Sequence, residues 1–145
     1  MKNTTLIITI FINILILQCT AQVWQLSPTD DLQKVLALTQ GGDEIVLKSG
    51  TYYGNFVISQ AITLNCQKNV NLNGRHVKDT LRITAANVSI KNCLISHWGN
   101  DLTEMNAGIF VEKTATHLHI DNNHLIGDTF GIWVDSTAGV TISNN

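Results

Sequence analysis

Proline occurs once in the 145 residues, at Pro28, so the chain carries no proline-rich linker. Charge is scarce as well. Only 14% of residues are charged, and 9 basic against 11 acidic groups leave a net charge of −2. Those figures exclude a coiled coil and a charged disordered tail. There is no basic run, and a pI of about 6.2 removes the usual electrostatic footprint of nucleic-acid binding. Ala, Glu and Lys, the formers of helical bundles, are thin. The length allows one domain, with room for a leader. What the chain has in excess is Ile and Thr, which suit strands, and Asn, which suits turns. An all-β domain with many polar corners is the expectation.

Lys2 is followed by an apolar stretch from Leu6 to Leu17, broken only by Thr9 and Asn13. As a helix, twelve residues reach about 18 Å at ~1.5 Å each, short of a bilayer core of ~30 Å. A positive start, a short apolar centre and small residues after it make a secretory signal peptide over 1–21. Cleavage is expected after Ala21, with Cys19 at −3. Acylation at Cys19 and a permanent anchor are the alternatives, and all three place residue 22 onward outside the cytoplasm. Cleavage leaves Cys66 and Cys93. An oxidising compartment permits a bridge between them, but two buried free thiols are the expected state.

Residues 22–42 read as an N-terminal segment with a capping helix. Thr29-Asp30-Asp31 supplies N-cap residues ahead of Leu32, Val35 and Leu36, and Gly41-Gly42 is expected to close the helix as a C-cap, giving about Asp31 to Thr39. From residue 43 the pattern changes to short β runs divided by glycine turns. Self-comparison then finds one motif four times: Ile62-Thr63-Leu64-Asn65, Val88-Ser89-Ile90-Lys91-Asn92, Leu118-His119-Ile120-Asp121-Asn122 and Val140-Thr141-Ile142-Ser143-Asn144. The starts lie 26, 30 and 22 residues apart. A second series, Gly108-Ile109-Phe110-Val111 and Gly131-Ile132-Trp133-Val134, repeats after 23 and interleaves with the first. That period is too short for a propeller blade, and no helical stretch joins the strands. What remains is a solenoid of stacked short strands with Asn, Gly or Asp at its corners. Residues 43–145 make about four and a half coils, a column ~20 Å tall at ~4.8 Å per strand.

The 30-residue interval holds an insertion, residues 97–106. Insertions in a repeat map to loops on one face, often the binding face. This makes Asp101, Glu104 and Asn106 the candidate partner-binding residues. The last residues, Asn144-Asn145, stop one corner into a coil. An N-terminal piece of a longer protein, truncated at its C-terminal end, is therefore expected.

The run Gly41-Gly42-Asp43-Glu44-Ile45-Val46-Leu47, with Gly50-Thr51-Tyr52 and Asn55-Phe56-Val57-Ile58 after it, resembles the opening of right-handed parallel β-helix proteins of the pectin-lyase-like superfamily. The stretch 101–111, with Asn122-Asn123 and Phe130-Gly131-Ile132-Trp133-Val134 downstream, is similar to the NosD family, periplasmic copper-related maturation proteins of nitrous oxide reductase. The resemblance covers about residues 30–145. It implies a right-handed parallel β-helix in the periplasm that acts with an ABC transporter permease and ATPase. A copper chaperone and nitrous oxide reductase are the further implied partners, and the membrane is reached only through them. It implies no catalytic residues, and copper is at most a transient ligand. The superfamily also contains carbohydrate-binding and polysaccharide-modifying proteins, which stands as the alternative.

Copper(I) prefers thioether and thiolate sulfur and accepts imidazole. His97 and Met105, eight apart in the insertion, are the candidate metal ligands. The competing reading gives Met105 a packing role and His97 a solvated corner. His117 and His119 lie two apart on an expected strand and read as an exposed pair without function; His76 and His124 read as lone corner residues. Glycosidic chemistry needs two carboxylates across the scissile bond. Asp101 and Glu104 are near each other, but corner Asp residues such as Asp121, Asp128 and Asp135 mostly satisfy backbone amides. Trp98, Tyr52 and Tyr53 are possible sugar platforms, while Trp133 can pack on the adjacent coil. Asn92, Asn122, Asn123 and Asn144 are expected to stack as a ladder at one corner.

Overall fold

Alternating apolar residues in runs of three to five, with an asparagine or glycine after each run, leave the chain one way to bury them: fold at every corner and stack each run on the previous coil. The computed structural model, which describes residues 20–145, does this. The expected signal peptide, including Cys19, lies outside the described residues up to Thr20 and Ala21. Three parallel sheets form the walls. The first contains β1 (Val23–Leu26), β2 (Glu44–Leu47), β5 (Thr63–Cys66), β8 (Ser89–Lys91), β11 (Leu118–Asp121) and β14 (Val140–Ser143), stacked in that order. The second stacks β3 (Gly50–Tyr53), β6 (Val70–Asn73), β9 (Leu94–Ser96) and β12 (His124–Ile126). The third stacks β4 (Phe56–Ile58), β7 (Leu81–Ile83), β10 (Ala107–Val111) and β13 (Phe130–Val134). The result is a parallel β-solenoid of about five turns with one short helix.

The four copies of the sequence motif are β5, β8, β11 and β14, adjacent in one sheet and in register. Ile45, Leu64, Ile90 and Ile120 follow one another coil by coil and are sealed from solvent. The second series is β10 and β13, also paired. The solenoid begins earlier than residue 43, because β1 pairs with β2 through Val23↔Glu44 to Leu26↔Leu47. Burying each large aliphatic contributes about 1.5–3 kcal/mol, and the narrow interior contains little else.

Helix α1 spans Leu32–Leu38, capped by Asp31, whose carboxylate accepts the Lys34 amide at 3.0 Å. Leu32 and Leu36 face inward. Its Gln33 side chain also behaves like a strand: Oε1 accepts the Val57 amide at 2.8 Å and Nε2 faces the Val57 carbonyl at 3.4 Å. That covers the outer edge of β4, the first strand of its sheet. The C-cap is Thr39, in extended conformation, rather than the glycine pair. Gly41 and Gly42 instead form a turn closed by the Asp43 amide on the Gln40 carbonyl, with Gly42 at φ +94°. Asp43 then ties the first coil together. Its carboxylate accepts the amides of Gln40 (3.0 Å) and Gln22 (2.8 Å) and the Trp24 indole (3.0 Å), which hold it below the usual range.

One corner is built from asparagines, several in left-handed conformation. Asn92 donates to Asn65, and Asn122 to Asn92, each at 2.8 Å. The expected ladder is thus present but differently composed. Asn144 bonds to Asp121 instead. Asn123 is buried in a second, inner column made by the residue after each asparagine: Cys66, Cys93, Asn123 and Asn145. Asn123 accepts the Cys93 amide and donates to the Ile90 carbonyl and to Asn145. Cys66 and Cys93 are joined by a disulfide with Cα atoms 5.0 Å apart. The expectation of free thiols is corrected here: stacking brings two inward-facing residues of successive coils within bridging distance.

Candidate functional site

The insertion between β9 and β10 has a buried base and an exposed tip. At the base, Trp98 is buried and its indole donates to Thr129 Oγ1 at 2.9 Å. The same hydroxyl lies 3.1 Å from the Gly99 carbonyl and 2.9 Å from that of Asn106. Gly127 leaves room for the indole; a Cβ there would stand 2.4 Å from the ring. The tip is closed by Asp101, whose Oδ1 accepts the amides of Thr103 (2.8 Å) and Glu104 (3.1 Å). Asn106, buried, accepts the Asp101 amide and donates its own to the Asp101 carbonyl. Two apolar side chains stand out on this tip: Leu102 is 63% exposed and Met105 40%.

Asp101, Glu104 and Asn106 line one cleft of about 400 Å³ together with Lys78, Asp79 and Arg82. Asp101 and Asn106 are largely occupied in shaping the loop. A neighbouring cavity of about 310 Å³ shares Lys78, Asp79 and Arg82 and extends toward Asn55, Phe56 and Val57. Arg82 lies on the outer face of β7 and is the centre of this region. It donates to Asp79 at 2.7 and 2.9 Å, pairs with Glu112, and covers the Phe110 ring at 4.0 Å. Burial pushes the Asp79 carboxyl up, against the opposing pull of the Ala107 amide and the Arg82 guanidinium. Neither residue is among the candidates read from the sequence; the signal that marks Arg82 is a lone charge between Leu81 and Ile83, whereas Asp79 depends on the Ala107 amide of another coil as well as on Arg82.

The sign of the pH dependence follows from Asp79. A carboxyl raised by folding favours the folded state most below its unfolded value of 3.8, and this contribution fades as pH rises through the folded value. Arg82→Gln removes the compensating cation and raises Asp79 further. Its destabilisation is therefore expected to be larger at pH 7 than at pH 4, on the order of 1–2 kcal/mol at neutral pH because Arg82 is partly solvated. Urea midpoints at the two pH values check this; equal losses would contradict it.

His97 and Met105 have different surroundings. Met105 stands on the exposed tip in left-handed conformation, its amide on the Leu102 carbonyl. His97 packs instead against His76, ring centres 4.8 Å apart and planes nearly perpendicular. Both rings line a cavity of about 140 Å³ with Trp98, Ile126, Gly127 and Asp128. His76, read from the sequence as a lone corner residue, thus has a partner from the next coil. Among the described residues, no group of three or more His, Cys, Asp or Glu is placed to hold a metal ion.

Two of the expected sugar platforms are withdrawn from solvent. Trp98 is buried under the insertion, and Tyr52 is buried with its hydroxyl on the Leu26 carbonyl at 2.7 Å. Tyr53 remains exposed, with Arg75 over its ring at 5.3 Å. Trp133 packs on Phe130 and is in register with Phe110. His117 and His119 are both exposed, but His117 precedes β11 in left-handed conformation, so the two do not share a regular strand face. Among the described residues, no helix is long and apolar enough to cross a membrane.

No protein-family model matches the chain. Comparison with curated proteins finds similarity to a probable ABC transporter binding protein NosD of Pseudomonas aeruginosa strain PAO1, 37% identical over 99 residues. The corresponding protein of Stutzerimonas stutzeri is 33% identical over 99 residues. Each alignment covers 68% of this chain and 23% of the relative, so the chain spans about a quarter of their length. A third, shorter protein of the same name from Pseudomonas aeruginosa is 36% identical over 72 residues, half of this chain and 66% of that one.

Proposed function

We propose that this chain, a NosD-like β-solenoid, is a non-catalytic periplasmic accessory that docks on an ABC transporter and serves copper delivery to nitrous oxide reductase. The reading is carried by its similarity to proteins named as ABC transporter binding proteins. The insertion supplies a fitting docking element. Its base is locked by Trp98 and Thr129, so little order is lost on binding. Its tip presents Leu102 and Met105 as apolar anchors beside the acidic Glu104. The transporter's permease and ATPase are the direct partners; a copper chaperone and the reductase stand before and after it in the delivery. Copper is cargo here.

Co-purification of the full-length protein with the transporter tests the docking. Leu102→Asp with Met105→Asp places two charges on the exposed tip and is expected to leave the fold intact, as surface changes usually stay within ~0.5 kcal/mol. Loss of one anchor of ~2 kcal/mol weakens binding roughly thirtyfold, enough to abolish retention. Undiminished retention removes the tip from the interface. For the cargo, copper(I) binding by the full-length protein is compared with that of Met105→Ala. Unchanged affinity in the variant excludes Met105 as a ligand.

A further inference from the structure

The geometry points to a transition-metal transfer site on the His76–His97 pair, made of two imidazoles with its remaining coordination positions open. The two histidines come from different coils, yet their corners are fastened together. The Gly74 amide donates to the Ser96 carbonyl (2.9 Å), the His76 amide to that of His97 (2.6 Å), and the Gly99 amide to that of Lys78 (2.7 Å). Arg75, His76, Lys78 and His97 all adopt left-handed conformations. Corners elsewhere in the solenoid, such as Asn92, His117 and Asn122, use the same conformation; here it fixes the backbone from which the two rings project. The pair is thus set by backbone on both sides.

Hydrogen bonding also prepares the ring of His97. Ser96 Oγ donates its single proton to Asn71 Oδ1 at 2.8 Å. That hydroxyl also lies 2.8 Å from His97 Nδ1, and Asn73 Nδ2 lies 3.3 Å from the same nitrogen. Both contacts fall on Nδ1, which orients the ring and leaves Nε2 as the nitrogen that can take an ion. Outer contacts of this kind orient metal-ligating histidines. Both side chains are exposed, so each ring can turn to present a nitrogen. With metal–nitrogen bonds of about 2.0–2.1 Å, rings centred 4.8 Å apart can share one ion at a bent angle.

Imidazole suits copper and zinc. Two protein ligands make a weak, open site, suited to handing an ion on rather than keeping it. The inference rests on the delivery reading only for which ion is carried.

The test titrates copper(I) and zinc(II) separately into the full-length protein, each against a competing chelator. Wild type, His76→Gln, His97→Gln and the double variant His117→Gln/His119→Gln are compared. One ion per chain is expected, with affinity reduced about tenfold or more by either His76→Gln or His97→Gln and unchanged in the double variant. Shifts of the His76 and His97 ring protons in NMR spectra on adding the ion, with amide shifts elsewhere unmoved, show that the variants act through lost ligands and not through unfolding. Binding of zinc(II) alone upholds the site and removes copper as its ion. Binding of neither ion, or binding that survives both single variants, overturns the proposal. Transporter co-purification is read separately, so failure of docking and failure of metal binding are distinguishable.

Discussion

Cys66→Ala/Cys93→Ala is expected to lower stability by about 3–4 kcal/mol. The two residues are separated by 27 positions, and releasing a closed loop of that size returns this much chain entropy to the unfolded state. Both sulfurs are buried between successive coils, so the alanine pair also leaves a small void. For a chain of this length the loss corresponds to roughly 10 °C in melting temperature. Urea midpoints check it, and a reductant supplies the control. Reduction should shift the wild-type midpoint toward that of the variant and leave the variant unmoved. A variant as stable as the wild type would mean that the bridge contributes nothing.

The second large effect belongs to Trp98→Ala. Truncating a buried indole costs about 3–5 kcal/mol, and here it also deprives Thr129 of the group that fixes its hydroxyl under the insertion. Two consequences are expected together. The melting temperature falls, and the tip carrying Leu102 and Met105 loses its fixed base. Amide exchange over residues 99–106 should then quicken more than exchange in β5 or β8. Trp98→Phe retains most of the packing but not the indole N–H, so it should recover stability more fully than it recovers slow exchange in the loop. Equal recovery of both would show that the Thr129 hydrogen bond has no role in holding the insertion.

How far the sequence reached depends on the range of each interaction. The stacked walls were legible because the motif at Ile62, Val88, Leu118 and Val140 repeats the same in–out alternation, and parallel stacking needs nothing more than that repetition. The wall made of β3, β6, β9 and β12 escaped, because Gly50-Thr51-Tyr52-Tyr53 and Leu94-Ile95-Ser96 share no composition. Strand β1 escaped too, since Val23-Trp24-Gln25-Leu26 precedes the helix and resembles none of the later copies. The insertion was visible as extra length, but not its anchoring on Thr129, 31 positions beyond Trp98. The disulfide was within reach, because Cys66 and Cys93 each follow the asparagine that ends successive motif copies; what the sequence left open was whether stacked thiols would bridge. The His76–His97 contact was out of reach, since neither residue belongs to a repeated motif. Met105 and His97 were paired by sequence distance, whereas the chain pairs corners across coils.

The inner corner column has one covalent rung, Cys66–Cys93, followed by the amide rung Asn123–Asn145. The first cannot open without redox chemistry; the second can part and re-form thermally. Coils joined by the bridge are therefore held more stiffly than coils joined by asparagines. Tension along the solenoid would part the Asn123–Asn145 rung before the Cys66–Cys93 rung.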